Sequence, residues 1–399
     1  MKKDRIAYKI VYCILLTIIV LGLVSCAPKA TTVATEESEV VATEAPKTIK
    51  LGFIAPMTGN GAFWGIRGQQ AVQIAVDEIN AQGGINGAMV EVDYQDDRTD
   101  KTEVATIMKR FVEDPEIIAV IGSVMSGDNF IGAPIANQGG LVMCGFATTA
   151  DGIPEIGEYS FRVANTAAVA IPAILTWAKE KYDLKKIAMV YSLNNDYSVA
   201  AQKIWAEEAE KLGIEMVAVE TYSDGDTDFS AQVTKIVQAE PDAIILAGYA
   251  AEGSLVAIEA LKQGLTVPFL GGDGINDSET LHKVGGEATN GIYLYSSFNS
   301  AYDAPKAKAF TEEFTKRYDA QPEAAAASAY DVAWMMFEAL KVSGPDRAKF
   351  RDAFAAIKDF EGVEGKISFD ENRETVMSTF ILEHQNGEFL LVKVQDAAK

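Results

Sequence analysis

The sequence predicts an α/β fold of two Rossmann-like lobes with parallel central sheets, joined by a multi-strand hinge. From Thr48 onward, short apolar runs alternate with amphipathic helical patterns. The runs are almost entirely Val, Ile, Leu and Ala, as expected for strands buried on both faces of a parallel sheet. A weak internal echo indicates two similar lobes: Pro115 and Pro241 each precede a strand, and Gly122 and Gly248 follow each proline by seven residues. The alternative explanation of this weak internal repeat is the strand–helix order that α/β proteins have in common.

The elements follow one another along the chain. Predicted strands occupy residues 49–55, 90–94, 117–121, 141–143, 187–191, 216–219, 243–246 and 292–295. Predicted helices include residues 66–82, 101–113, 169–182, 199–212, 252–263 and 305–318. Strands that alternate with helices form parallel sheets, and such sheets bind ligands beyond the carboxyl ends of their strands. We therefore expect a ligand site near Gly122 and Gly248.

Composition restricts the class of protein. The 399 residues include 35 Lys and Arg against 57 Asp and Glu, for a formal charge of −22. Hydrophobic residues make up 48%, which is enough for a folded core and for more than one domain. An acidic chain without clustered Lys and Arg is not expected to bind nucleic acid.

The amino terminus has the pattern of an export signal. Lys2, Lys3 and Arg5 precede an apolar run over residues 10–24, which is short for a membrane span. The run ends in LVSC, which resembles a bacterial lipobox, so we expect a lipoprotein signal peptide over 1–25 and a lipid on Cys26. An ordinary cleavage site before a cysteine is the alternative. Residues 26–48 lack a helical or strand period and are predicted to be a flexible tether, about 25 Å from end to end. We therefore expect the protein to be exported and lipid-anchored to the outside of the cell membrane or to a membrane that faces the periplasm.

Several short motifs fail as cofactor or metal sites. Residues 59–65 have the spacing GxGxxxG, one residue longer than a dinucleotide fingerprint, with Phe and Trp inside the turn. Residues 224–228 begin like a calcium loop but lack its later glycine and glutamate. His282 and His384 are far apart and are interpreted as structural. Since no motif fits a metal or cofactor site, we expect neither. Cys13 leaves with the signal peptide and Cys26 carries the lipid, so Cys144 remains single and we expect no disulfide.

An ordered set of motifs extends over residues 48–395. In chain order they are IAPMTG (54–59), WG (64–65), AQGGING (81–87), DD (96–97), VIG (120–122), APIA (133–136), FRV (161–163), DF (228–229), AYD (329–331) and GKISFD (365–370). Together they resemble the Leu/Ile/Val-type branched-chain amino acid receptors, the type I periplasmic-binding-protein family that serves ABC transporters. This resemblance implies a binding protein without enzymatic activity, a single-chain monomer, and a transporter permease as partner.

The resemblance also implies a set of ligand-binding residues. By their positions relative to the family motifs, these are Trp64, Ser126, Ala147, Thr148, Thr149, Tyr197, Tyr249 and Asp273. An amino acid zwitterion needs donors for its carboxylate, an acceptor for its ammonium and an apolar cup. Ser126 and nearby backbone N–H groups supply donors, and Asp273 supplies a charged acceptor. Three alternatives stay open: Ser126 as a helix N-cap, the tyrosines as packing aromatics, and Asp273 as a turn residue.

Two departures from the family pattern concern specificity. Ala167 stands five residues after Arg162, where the family commonly has Asp, and Ala325 stands where branched-chain binders have an aromatic. The expected ligand is therefore a branched-chain, other apolar or related amino acid, with larger aliphatic or aromatic amino acids and a related carboxylate or amide as open alternatives. The predicted lobes comprise residues 49–166 with 299–375 and residues 167–298 with 376–395. The predicted function is capture of the ligand: the hinge closes over it, and the closed form docks on a permease. The alternative is a sensory receptor for a membrane signalling partner.

Overall fold

The structure, a computed structural model, describes residues 48–396. Its first five strands form a fully parallel sheet. The sheet has the order β2-β1-β3-β4-β5. Its strands are β1 (Thr48–Ala55), β2 (Met89–Asp96), β3 (Ile117–Gly122), β4 (Val142–Phe146) and β5 (Ser160–Val163). All residues of β3, β4 and β5 are buried, because helices cover both faces of the sheet.

A second sheet of seven strands has the order β15-β14-β10-β9-β8-β6-β7. Its strands are β6 (Lys186–Ser192), β7 (Glu215–Tyr222), β8 (Ala243–Ala247), β9 (Phe269–Gly271), β10 (Ile292–Ser296), β14 (Thr379–Gln385) and β15 (Glu388–Gln395). Strands β6 to β10 are parallel to one another. Strand β14 pairs antiparallel with β10, and β15 pairs antiparallel with β14. Only the two residues 386–387 connect β14 to β15, and a hairpin this tight requires antiparallel strands.

Ten helices of nine or more residues are present in residues 48–396. They are α1 (Ala62–Ala81), α2 (Lys101–Glu113), α3 (Ser126–Gln138), α4 (Ala167–Tyr182), α5 (Asp196–Lys211), α6 (Ser230–Ala239), α7 (Ala250–Lys262), α8 (Pro305–Tyr318), α9 (Ala324–Ser343) and α10 (Arg347–Ala355). A small antiparallel sheet of β11 (Phe360–Gly362), β12 (Gly365–Phe369) and β13 (Thr375–Val376) follows α10. We call the first sheet with α1–α3, α8–α10 and β11–β13 lobe 1, and the second sheet with α4–α7 lobe 2.

The chain passes between the lobes three times, and polar side chains connect the crossings. The crossings follow β5, β10 and β13. Asn165, at the first crossing, donates from Nδ2 to the carbonyl oxygen of Ser296 (3.3 Å) and to Oγ1 of Thr379 (3.0 Å). These three residues come from the three crossings and are buried. The hinge is therefore held by hydrogen bonds as well as by covalent connections.

The predicted α/β fold class with parallel sheets in two lobes is confirmed. Predicted helices 101–113 and 305–318 agree with α2 and α8 at both ends. The predicted residue ranges of the lobes stay a prediction. The predicted signal peptide, Cys26 and the tether, apart from Thr48, lie outside the described residues. Among residues 48–396, no helix combines the length and the apolar character that crossing a membrane requires.

Candidate functional site

Strand ends from both sheets meet at one cavity. Ser126 begins α3 just after β3, and Ala147 and Thr149 follow β4. From lobe 2, Tyr197 lies in the first turn of α5 and Tyr249 lies two residues after the end of β8. Seven of the eight predicted ligand residues line the cavity: Trp64, Ser126, Ala147, Thr149, Tyr197, Tyr249 and Asp273. The cavity is thus where the carboxyl ends of parallel strands would place a ligand.

Thr148 is the predicted residue that does not line this cavity. It is fully buried, and its Oγ1 lies 3.1 Å from Oγ of Ser126. Asn129 donates from Nδ2 to the same Thr148 oxygen at 3.4 Å. Thr148 therefore supports Ser126 from behind the cavity wall.

Ser126 does not act as a helix N-cap. Its Oγ accepts a hydrogen bond from the backbone N–H of Ala150 at 3.3 Å, and the cap position of α3 is Met125. Ser126 thereby joins the loop after β4 to the start of α3. A hydroxyl and the first-turn N–H groups of a helix together provide donors for an anion.

Three aromatic rings form one wall of the cavity. The rings of Tyr197 and Tyr249 are nearly parallel, with centroids 6.0 Å apart and an angle of 4°. Trp64 lies 5.1 Å from Tyr249 between ring centroids, so an aromatic ring of lobe 1 packs on one of lobe 2. The tyrosines do pack on each other, and they also line the cavity. This wall is apolar and rigid, as an aliphatic side chain requires.

Asp273 places a carboxylate in the same cavity. It begins a short helical turn after β9, and its Oδ1 is buried without a hydrogen-bond donor among the described residues. Burial raises the pKa of Asp273 well above its usual range, because the charged form loses its hydration. The flanking glycines are needed for packing, since a Cβ at Gly274 would lie 2.5 Å from the carbonyl oxygen of Gly248. Asp273 is therefore an acceptor in need of a donor, which a simple turn residue is not.

Six further residues of the cavity wall were not among the predicted ligand residues. They are Val124, Met125, Gly274, Asn276, Ala324 and Ala325. Ala325 was identified only as a departure from the family pattern. Ala167, the other departure, is buried at the start of α4 and donates its backbone N–H to the carbonyl oxygen of Thr149 at 3.5 Å. It lies behind the wall that Thr149 forms.

The lobes meet over the cavity. Nε1 of Trp64 donates to the carbonyl oxygen of Asn276 at 3.3 Å, and Lys101 Nζ lies 2.8 Å from Asp196 Oδ2. The centres of water molecules can occupy only about 40 Å³ of the cavity, which is room for roughly three waters. Entry of any larger solute therefore requires the lobes to separate.

The motifs rejected as cofactor sites have structural explanations. A Cβ at Gly65 would lie 1.8 Å from the carbonyl oxygen of Pro56, so this glycine allows α1 to approach β1 closely. His384 is buried, with Nδ1 3.0 Å from the carbonyl oxygen of Thr289, whereas His282 is exposed. Within residues 48–396, no cluster of three or more His, Cys, Asp or Glu side chains has a metal-binding arrangement.

Comparison with known proteins gives consistent matches. A family model described as periplasmic binding protein matches residues 48–388. A leucine-, isoleucine-, valine-, threonine- and alanine-binding protein of Pseudomonas aeruginosa is 27% identical over 330 residues, which cover 82% of this chain and 87% of that protein.

Solved structures agree over a similar span. The branched-chain amino acid transporter substrate binding protein LivJ of Streptococcus pneumoniae, in complex with isoleucine, is 32% identical with a TM-score of 0.82, covering 88% of this chain and 100% of LivJ. The leucine binding protein LivK of Thermotoga maritima is 29% identical with a TM-score of 0.81, covering 88% and 99%. These relatives are binding proteins and not enzymes, which confirms the prediction that the chain is not an enzyme. Because the family model matches most of the chain and the solved relatives share its fold, this chain belongs to the periplasmic binding protein family.

Proposed function

We propose that this protein captures an amino acid, branched-chain or otherwise apolar, between its lobes and delivers it to an ABC transporter permease. One observation carries the proposal: anion-binding donors, a buried acidic acceptor and an aromatic wall surround one cavity between the lobes. An α-amino acid needs these three features together. The names of the similar proteins from Pseudomonas, Streptococcus and Thermotoga support this choice of ligand.

The ammonium group of the ligand binds Asp273 in this proposal. A buried carboxylate without a donor is unfavourable, and an ammonium supplies both a charge and N–H donors. The residues that line the cavity with Asp273 include no Lys, Arg or His. The ligand cation therefore compensates for the desolvation of Asp273.

The carboxylate of the ligand binds on the lobe 1 side. Ser126 Oγ, the backbone around Ala147 and Thr149, and the start of α3 supply neutral donors there. The left-handed conformation of Ala147 (φ 51°) turns the chain sharply at this point. Separate binding of the two charged ends orients the ligand across the cleft.

The side chain of the ligand occupies the apolar remainder of the cavity. Trp64, Val124, Met125, Ala324 and Ala325 enclose that space. The alanines at 324 and 325 leave space for the ligand's side chain, which an aromatic protein residue at either position would occupy. We therefore place aliphatic amino acids first among the candidates.

Ligand binding and hinge closure are coupled. Lobe 1 supplies Ser126 and Trp64, and lobe 2 supplies Tyr197, Tyr249 and Asp273, so only closed lobes complete the site. A ligand that touches both lobes shifts the equilibrium toward closure by its additional contacts in the closed state. The closed monomer then presents a surface for the permease. A sensory role would use the same closure with a different membrane partner, and no contact among residues 48–396 favours it.

The proposal includes export and a lipid anchor on Cys26. The LVSC segment at residues 23–26 is the supporting observation. Cys26→Ser is expected to move the protein from the membrane fraction to the soluble fraction without changing ligand affinity. A wild-type protein that is soluble and unmodified at its mature amino terminus contradicts the anchor.

A thermal-shift screen of the twenty amino acids and small carboxylates tests the proposed ligand class. A ligand present at 100 times its dissociation constant stabilises the folded protein by about 2.7 kcal/mol. We expect the largest shifts with aliphatic amino acids. Shifts only with carboxylates that lack an amine contradict the amino acid assignment.

A further inference from the structure

Asn276 lies on the cavity wall, three residues after Asp273. It is 3% exposed, and its carbonyl oxygen accepts the hydrogen bond from Nε1 of Trp64. Asn276 also lines a second, larger cavity of about 670 Å³ next to the β14–β15 hairpin. Asn276 is therefore shared by the candidate ligand site and the larger cavity.

A hydrogen-bond chain fixes the orientation of the Asn276 amide. Nδ2 of Asn276 donates to Oγ of Ser296 at 2.9 Å. Ser296 Oγ in turn donates to the carbonyl oxygen of Phe298 at 3.0 Å, so its hydroxyl proton is already committed. Ser296 can therefore only accept from Asn276, which leaves Oδ1 as the free acceptor of the amide.

Two buried acceptors on this cavity wall have no donor among the described residues. They are Oδ1 of Asp273 and Oδ1 of Asn276. Buried polar atoms in folded proteins are nearly always hydrogen-bonded, so a pair of unmatched acceptors at one site indicates a ligand with more than one donor. In the proposed function, the ammonium of the ligand donates to Asp273. No donor has yet been assigned to Asn276.

We propose that Asn276 is a further ligand-binding and specificity-determining residue, whose Oδ1 accepts a hydrogen bond from an N–H or O–H group of the bound amino acid. This inference rests on the proposed function. The donor is either a side-chain hydroxyl or a second N–H of the α-ammonium. Threonine and valine have nearly the same shape and differ in one hydroxyl, so comparing them separates the two sources.

The expected effects follow from the loss of one buried hydrogen bond. If the donor is a side-chain hydroxyl, wild-type protein binds threonine about 2- to 10-fold more tightly than valine. Asn276→Leu, which has similar volume and no acceptor, removes that preference. If the donor is the ammonium, Asn276→Leu weakens binding of both ligands by the same factor.

The experiment is calorimetric titration of threonine and valine into the wild type, Asn276→Leu and Asn299→Leu. Asn299 is a matched control, because it is a buried asparagine that borders the larger cavity and not the candidate ligand site. Its substitution is expected to leave the ratio of the two dissociation constants unchanged. Asn276→Ala, which also lacks a side-chain acceptor, replaces Asn276→Leu if the latter does not fold, and the same shifts are expected.

A changed threonine-to-valine ratio, or an equal weakening of both ligands, in the Asn276 variant supports the inference. Dissociation constants that stay within about 2-fold of wild type for both ligands overturn it, with Oδ1 then facing the larger cavity. In that case the proposed function stands, because wild type still binds amino acids. If the wild type binds no amino acid in the screen, the proposed function fails and this inference fails with it.

Discussion

Lys101 and Asp196 form an ion pair across the cleft, with Nζ and Oδ2 2.8 Å apart. Lys101 begins α2 in lobe 1, and Asp196 begins α5 in lobe 2. Their side chains are 60% and 46% exposed, so the pair contributes only about 0.2–1 kcal/mol to the closed state. It is a weak latch at the edge of the site.

Lys101→Met is therefore expected to weaken ligand binding by at most about 5-fold, mainly through faster dissociation. The effect should disappear at high salt, because exposed charges are screened. Stopped-flow measurement of ligand release at low and high salt checks this. Lys185→Met serves as control, because Lys185 pairs with Asp183 within lobe 2. An unchanged release rate for Lys101→Met at low salt contradicts the latch.

Asp273 also makes closure without a ligand unfavourable. Burial raises its pKa well above the usual range, so at neutral pH closing the empty cleft requires desolvating a carboxylate or taking up a proton. Asp273→Asn removes this cost while keeping the shape. We expect the ligand-free variant to have a smaller radius of gyration in solution scattering than the ligand-free parent.

The sign of the pH effect follows from the direction of this pKa shift. A carboxyl whose pKa is higher in the closed state binds protons on closure, so lowering the pH favours empty closure in the parent. The ligand-free parent should become more compact as the pH falls toward the ordinary Asp range, and Asp273→Asn should show less change. Glu287→Gln, which removes an exposed lobe 2 charge, should behave like the parent. A variant and a parent with equal compactness at every pH would contradict this role of Asp273.

Away from the candidate site, the buried acids Asp331 and Glu364 make the free energy of unfolding depend on pH. Glu364 is fully buried, and its Oε1 accepts a hydrogen bond from Ser328 Oγ at 2.7 Å, while Oε2 has no partner among the described residues. Asp331 accepts backbone N–H groups of Val363 and Glu364. Burial raises the pKa of Asp331 to about 7 and that of Glu364 well above its usual range.

Because both folded-state pKa values are raised, these groups lower the free energy of unfolding as the pH rises from about 4 through about 7 and beyond. Glu364→Gln is therefore expected to stabilise the protein more at pH ~8 than at pH ~5, by about 1–3 kcal/mol. Urea unfolding at the two pH values measures this difference. Glu361→Gln, an exposed acid in β11, should show no such difference, and an equal effect at both pH values would refute the assignment.

The sequence predicted those elements whose signals are local. Helix α2 was predicted at both ends because Asp100 caps its first turn, accepting from Thr102 and Glu103, and Pro115 follows its end. Helix α9 was not among the predicted helices. Fourteen of its twenty residues are buried, so it has little polar face to produce a helical period.

The residues of the candidate site likewise divide into those with a local sequence signal and those without one. Ser126 and Tyr249 lie a few residues after predicted strands, so the strand pattern and the family resemblance together located them. Asp273 follows β9, which was not predicted, so the family resemblance alone located it. Asn276 was missed because its position beside Trp64 depends on lobe closure between residues 212 apart in the sequence. Contacts of this kind leave no periodic signal.

The central claim is that Asp273 binds the ammonium of an amino acid, and calorimetry on Asp273→Asn tests it most directly. With the best ligand from the thermal-shift screen, the variant should bind more weakly by about 2–5 kcal/mol, because a desolvated charge pair is broken. Ser126→Ala should lose less, about 1–3 kcal/mol, since other donors to the carboxylate remain. An Asp273→Asn variant that binds as tightly as the parent, or a best ligand with no cationic group, would contradict the amino acid assignment.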